Sequence, residues 1–159
     1  MKKRILSLLL VFALISGISV VVSAEASLTV GCNISGFTLQ DIGSCKAFDA
    51  ETYLFTHDKT GGKLLYVAND DVNRAFDIAF NTPAADTGIS HVFEHACLNG
   101  SDKYPANIFF NVSSETLKTY MNAMTSEKYT AFPISSISDE QLLRLADYYL
   151  DGVFNPLIV

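Results

Sequence analysis

Five consecutive residues, His91-Val92-Phe93-Glu94-His95, constrain this chain more than any other feature. Histidines at i and i+4 lie one above the other on a helix, so both imidazoles can reach a single ion. A glutamate at i+3 shares that side. The spacing is H-x-x-E-H, the inverse of the better-known H-E-x-x-H. It serves zinc (Zn2+) chemistry: the ion activates water, and the carboxylate is placed to take the proton. The spacing therefore predicts a helix here with one side open to a cleft or a lid.

The neighbours of the motif sharpen that expectation. At roughly 100° per residue, Ile89, Val92, Phe93, Ala96 and Cys97 gather on one side, about opposite His91, Glu94 and His95. The apolar side is predicted to enter the core, with the polar trio facing away from it. Cys97 then acts as a small hydrophobe and not as a ligand. The third histidine, His57, sits beside Asp58 at a strand end with no partner at ligand spacing, and reads as a solvated turn residue. The competing reading of the trio is a charged surface patch.

Two histidines do not complete a catalytic zinc site, which ordinarily has three protein ligands and one open position. The acidic residues after His95 are Asp102, Glu115, Glu127, Asp139, Glu140, Asp147 and Asp151, and spacing singles out none of them. The third ligand is expected beyond Val159. A weaker alternative completes the site locally, for example with Glu140.

The rest of the chain bounds the partners and the fold. It has 159 residues, a formal net charge of −6 and 49% hydrophobic residues, which suits one domain or one and a half, and not a disordered chain. The acidic balance argues against nucleic acid as a partner. Lys2, Lys3 and Arg4 precede an apolar run over residues 5–22 and the small exit Val22-Ser23-Ala24. This reads as a secretory signal peptide over residues 1–24, giving a secreted or cell-envelope protein, or a membrane-anchored one if uncleaved. Export leaves Cys32 and Cys45 either paired around a short loop or free. Asn33-Ile34-Ser35 and Asn111-Val112-Ser113 are glycosylation sequons that matter only in a eukaryotic secretory pathway.

Residues 25–47 show weak strand character. Strands are predicted over 51–57, 63–68 and 75–81, with turn chemistry at 58–62. The motif helix follows, capped by Asp86 or Thr87 and ending before Gly100. A loop is expected over 103–111 and a short helix over 114–120. Strands follow over 121–125 and 129–134. The last helix, 139–154, has a capping box in Ser138 and Gln141, and Leu142, Leu145, Ala146, Tyr149, Leu150 and Val153 lie on one face. The class is α+β, with helices packed on one face of a mixed β-sheet.

Residues 82–101, TPAADTGISHVFEHACLNGS, resemble the zinc-binding region of the insulinase or pitrilysin family of metallopeptidases, most closely its presequence-protease branch. The resemblance continues through Lys103-Tyr104-Pro105, Asn122-Ala123-Met124-Thr125, residues 130–133 and Asp151-Gly152-Val153-Phe154-Asn155-Pro156. Upstream it takes in residues 53–71, YLFTHDKTGGKLLYVANDD. It spans about residues 45–158. It implies a pitrilysin-type half domain over 45–159, preceded by an N-terminal extension over 25–44. It also implies that His91 and His95 are zinc ligands and Glu94 the general base of a zinc endopeptidase. Asn122 and Ala123 would lie on an edge strand beside which a peptide substrate adds, although an ordinary turn or strand end explains Asn122 equally well. Members of the family are much longer, and no position here matches their third zinc ligand, a Glu on a later helix. The resemblance therefore implies the first part of a peptidase that needs a missing C-terminal portion or a partner chain to complete the site. The alternative is an inactive truncated module that binds peptide or a partner chain without cleavage.

Overall fold

The computed structural model describes residues 28–82 and 88–158. The expected leader over 1–24 and the caps Asp86 and Thr87 lie outside the described residues. The chain divides into two units, Met1–Asp70 and Asp71–Val159.

The first unit is a sheet of β1 (Asn33–Ile34), β2 (Phe37–Cys45), β3 (Ala50–His57) and β4 (Lys63–Ala68), in that spatial order and antiparallel throughout. Alternate side chains of a strand share a face, so Tyr53 and Phe55 are buried together with Leu39, and Leu64 and Tyr66 pack against them. The β3–β4 turn closes where its chemistry predicts. The His57 N–H donates to the Gly62 carbonyl and the Gly61 N–H to the His57 carbonyl, each at 2.8 Å. His57 Nδ1 lies 2.7 Å from Thr60 Oγ1, so this histidine belongs to the turn.

β2 was only faintly legible. Leu39 is its one buried residue, and a register shift between Leu39 and Asp41 breaks the alternation. It is a strand because β3 offers it a partner, not because its own pattern demands one. The pairing also decides the cysteines. The Cys32 carbonyl accepts from the Leu39 N–H, whereas Cys45 pairs with Ala50 at the far end of β2. Six residues of strand, about 20 Å, separate those two points, far beyond the reach of a disulfide. Both thiols are free.

In the second unit, β8 (Tyr129–Ser136) is the central strand. β5 (Arg74–Asn81) pairs with it along one side, from Arg74 opposite Ser136 to Asn81 opposite Tyr129. β6 (Tyr120–Met121) and β7 (Met124–Thr125) pair with it along the other. The sequence predicts one strand over 121–125, and Pro133 explains why two are found. The register Met121↔Ile134 and Met124↔Ala131 sets Pro133 opposite Asn122. A proline has no N–H to give the ladder, and only its carbonyl is used, by the Asn122 N–H at 3.1 Å.

Three helices complete this unit: α1 (Ile89–Cys97), α2 (Phe109–Glu115) and α3 (Asp139–Phe154). The Ser138 side chain caps α3 by accepting from the Gln141 N–H, and Asp139 and Glu140 favour the positive end of its dipole. Leu145, Ala146, Tyr148 and Tyr149 form the core with Phe132 and Ile134 of β8 and Cys97 and Leu98 at the end of α1. The short helix begins five residues earlier than expected, inside the predicted loop. Ile108, Phe109 and Val112 pack against the core, and the Thr116 hydroxyl takes the Val112 carbonyl at 2.6 Å where the chain turns extended. The architecture is α+β, with helices against a sheet. Every described strand pair is antiparallel, and the strands form two sheets.

Candidate metal centre

α1 starts at Gly88, whose φ of 65° is left-handed and whose carbonyl accepts from the N–H groups of both His91 and Val92. One turn apart, His91 and His95 bring their Nε2 atoms to 3.1 Å, with ring centroids 4.9 Å apart. Two imidazole nitrogens bound to one tetrahedral zinc at 2.0–2.1 Å would stand about 3.3 Å apart. The observed spacing fits that requirement with little adjustment. A ligand atom from each of His91, Glu94 and His95 lies within 4.8 Å of the others, and among the described residues this is the group that could hold a metal.

Glu94 is set apart from its two neighbours. Both histidines are exposed, but Glu94 is only 5% exposed and accepts a 2.6 Å hydrogen bond from Thr125 Oγ1 on β7. Thr125 Oγ1 lies in turn 3.4 Å from Thr130 Oγ1, which is 3.2 Å from Thr82 Oγ1.

The expected orientation of α1 needs correction. Of the five apolar residues assigned to the core, only Cys97 is buried. Ile89 is 64% exposed, Val92 69% and Phe93 55%. Glu94 and Cys97, three residues apart, share one helix face, and that face is turned inward, under β7 and towards the core. Burial raises the Cys97 thiol pKa, and the Glu94 charge adds to this, in keeping with packing and not reactivity.

Asn122 and Ala123 lie between β6 and β7, on a side of β8 where no further strand pairs among the described residues. Asn122 is anchored there. Its N–H serves β8, its carbonyl accepts from the Tyr149 hydroxyl at 2.9 Å, and its Nδ2 donates to the Tyr120 hydroxyl at 3.2 Å. Glu140 does not join the metal group. It sits in the first turn of α3 and pairs with Arg144 at 2.8 Å.

Spacing also gave no hint of the clamp that holds the segment after α1. Asp147 accepts from Lys103 Nζ at 2.7 Å and from the Tyr104 hydroxyl at 3.0 Å. One turn on, Asp151 accepts from the Lys103 N–H at 2.8 Å and from Asn155 at 2.9 Å. The Asp151 carboxyl is held below its ordinary pKa, first by the Ser101 hydroxyl and then by the Lys103 N–H and Asn155, against the opposing effect of burial. Ser101 Oγ is itself buried with no well-formed hydrogen bond among the described residues, so it acts on the carboxylate as a nearby dipole.

An α+β unit that carries two imidazoles and a carboxylate on one helical turn belongs to the class of proteins that could hold a metal ion there. The particular family follows from comparison. The sequence pattern of the insulinase family, peptidase family M16, matches residues 79–158, and the chain belongs to that family. It is 37% identical over 138 residues to the mitochondrial presequence protease of Yarrowia lipolytica, covering 86% of this chain. It is 37% identical over 131 residues to the mouse protein of the same name, covering 81% of this chain. The chain spans only 14% and 13% of those two proteins. The crystal structure of pitrilysin superposes with a TM-score of 0.66 at 21% identity, over 78% of this chain and 14% of that one, a likeness of fold.

These relatives also correct the expected location. They are named as mitochondrial proteins, which overturns the secreted or cell-envelope assignment read from residues 1–24. Among the described residues no helix is long and apolar enough to cross a membrane.

Proposed function

We propose that this chain supplies part of the active site of a zinc-dependent endopeptidase that hydrolyses peptides. The observation that carries the reading is the 3.1 Å approach of His91 and His95 Nε2 with the Glu94 carboxylate in reach. His91 and His95 would hold zinc through those nitrogens, and zinc supplies Lewis-acid activation of water and of the scissile carbonyl when bound. Glu94 accepts the proton that water gives up at a carboxylate oxygen and delivers it to the departing amine. Its burial and its bond to Thr125 hold the carboxylate in one place beside the histidines.

Asn122 and Ala123 would guide the substrate. They lie on the open side of β6 and β7, where an extended peptide can pair main chain to main chain, which favours length and conformation over sequence. The Pro133 break and the Tyr149 contact fix the Asn122 backbone, so that edge is already in place before a peptide arrives. Two imidazoles leave one ligand position unfilled. The rest of a longer protein, or a partner chain, fills it and closes over the site. The names of the relatives make a presequence or another unstructured peptide the substrate class to test.

The test measures zinc and cleavage together in the full-length protein. One zinc per chain, lost in His91→Ala, with hydrolysis of an unstructured peptide lost alongside it, is the expected result. Tight zinc binding without cleavage would favour the non-catalytic peptide-binding module instead. A protein that neither holds zinc nor cleaves when zinc is in excess would remove the assignment.

A further inference from the structure

We propose that Thr125 is a positioning residue of this site, holding the Glu94 carboxylate in the rotamer from which it serves as base. The inference rests on the reading of Glu94 given above. It starts from an energetic demand. A carboxylate that is 5% exposed has lost most of its water and needs a donor in exchange. Among the described residues, the hydrogen bond to Glu94 comes from Thr125 Oγ1, at 2.6 Å to Oε2. That length lies at the short end of the range for an O–H···O hydrogen bond.

The direction of the bond is fixed, because a carboxylate can only accept and a threonine hydroxyl has one proton to give. With that proton committed to Glu94, Thr125 can only accept from Thr130, and Thr130 then accepts from Thr82. The three hydroxyls thus line up towards Oε2 in one sense. At 3.4 Å and 3.2 Å the two outer links are weaker than the first. They orient Thr125 more than they strengthen it.

Rigidity comes from the strands. Thr125 is β-branched, with few χ1 choices, and sits on β7 directly opposite Thr130 of β8. Glu94 has three side-chain torsions on a helix. Tying one carboxylate oxygen to a strand removes most of that freedom, while the carboxylate stays within 4.8 Å of the imidazole nitrogens. Groups that act on a metal site from behind its ligands in this way change metal affinity or activity by on the order of tenfold to a hundredfold when removed.

The test uses the full-length, zinc-loaded protein and an unstructured peptide. Thr125→Val is expected to lower kcat by on the order of tenfold or more, with KM and zinc content unchanged, and Thr125→Ser to restore most of it. In the metal-free protein, the 13C resonance of the Glu94 side-chain carboxyl should move in Thr125→Val and return in Thr125→Ser. Should the valine variant fail to fold, Thr125→Ala takes its place with the same expectations. An unslowed hydroxyl-free variant, a serine variant as slow as valine, or a resonance that stays put overturns the role. Glu94→Gln separates the two layers. If it is inactive while Thr125→Val is not slowed, only the positioning role falls. If it is fully active, the general-base reading falls as well.

Discussion

At the scale of single residues, the candidate metal group was legible because its members are neighbours in sequence. Four residues make one helical turn, so the order of His91, Glu94 and His95 alone fixes their grouping. Thr125 is 31 residues from Glu94, and no local pattern ties them. Asp151 was likewise only one of seven candidate acids until its partners were seen. A carboxyl held below its ordinary value of 3.8 makes a pH prediction. As pH falls, the unfolded chain takes up that proton before the folded one does. The stabilisation is therefore fully present above the ordinary carboxylate range and is lost as pH drops through about 4 and on through the folded value. Asp151→Asn should lower thermal stability at pH 7 and flatten its fall between pH 5 and pH 3. A variant that parallels the parent over that range would show that the clamp does not depend on charge.

At the scale of elements, periodicity placed α1 and α3 but misjudged which way α1 faces. A helical wheel sorts residues by polarity, and it takes for granted that the apolar side finds a core. Here β7 supplies a hydroxyl for Glu94, and the helix turns that side inward while Ile89, Val92 and Phe93 stay exposed. Gly152 shows a second element-level constraint. A Cβ there would stand 2.9 Å from the Cys97 carbonyl oxygen, so α3 and the end of α1 touch backbone to backbone. In an open helix, Gly→Ala gains up to about 1 kcal/mol. Forcing a side chain into a closed contact costs about 1–3 kcal/mol. The second effect wins, because a carbonyl cannot rotate aside as a side chain can. Gly152→Ala should lose on the order of 1 kcal/mol in urea unfolding. A gain in stability would mean the two helices can part without cost.

At the scale of the whole molecule, the described chain is a small share of its relatives' length, and its candidate metal group has two imidazoles where a catalytic zinc site uses three protein ligands. If zinc binds the folded form and not the unfolded one, its removal must lower stability by linkage. A hundredfold excess over the dissociation constant is worth about 2.7 kcal/mol. Chelation of the full-length protein should lower its melting temperature, and added zinc should restore it. A melting temperature indifferent to both would place no metal here. By itself the sequence determined the family, the class and the helical grouping of His91, Glu94 and His95, because each depends on residues close along the chain or on a shared pattern. Which side of that helix is buried, which hydroxyl meets Glu94, where Pro133 splits an edge strand and why Cys32 and Cys45 stay apart were decided only by the tertiary structure. Each of these depends on which strands and helices meet in three dimensions, and burial is a property of that meeting that no local spacing records.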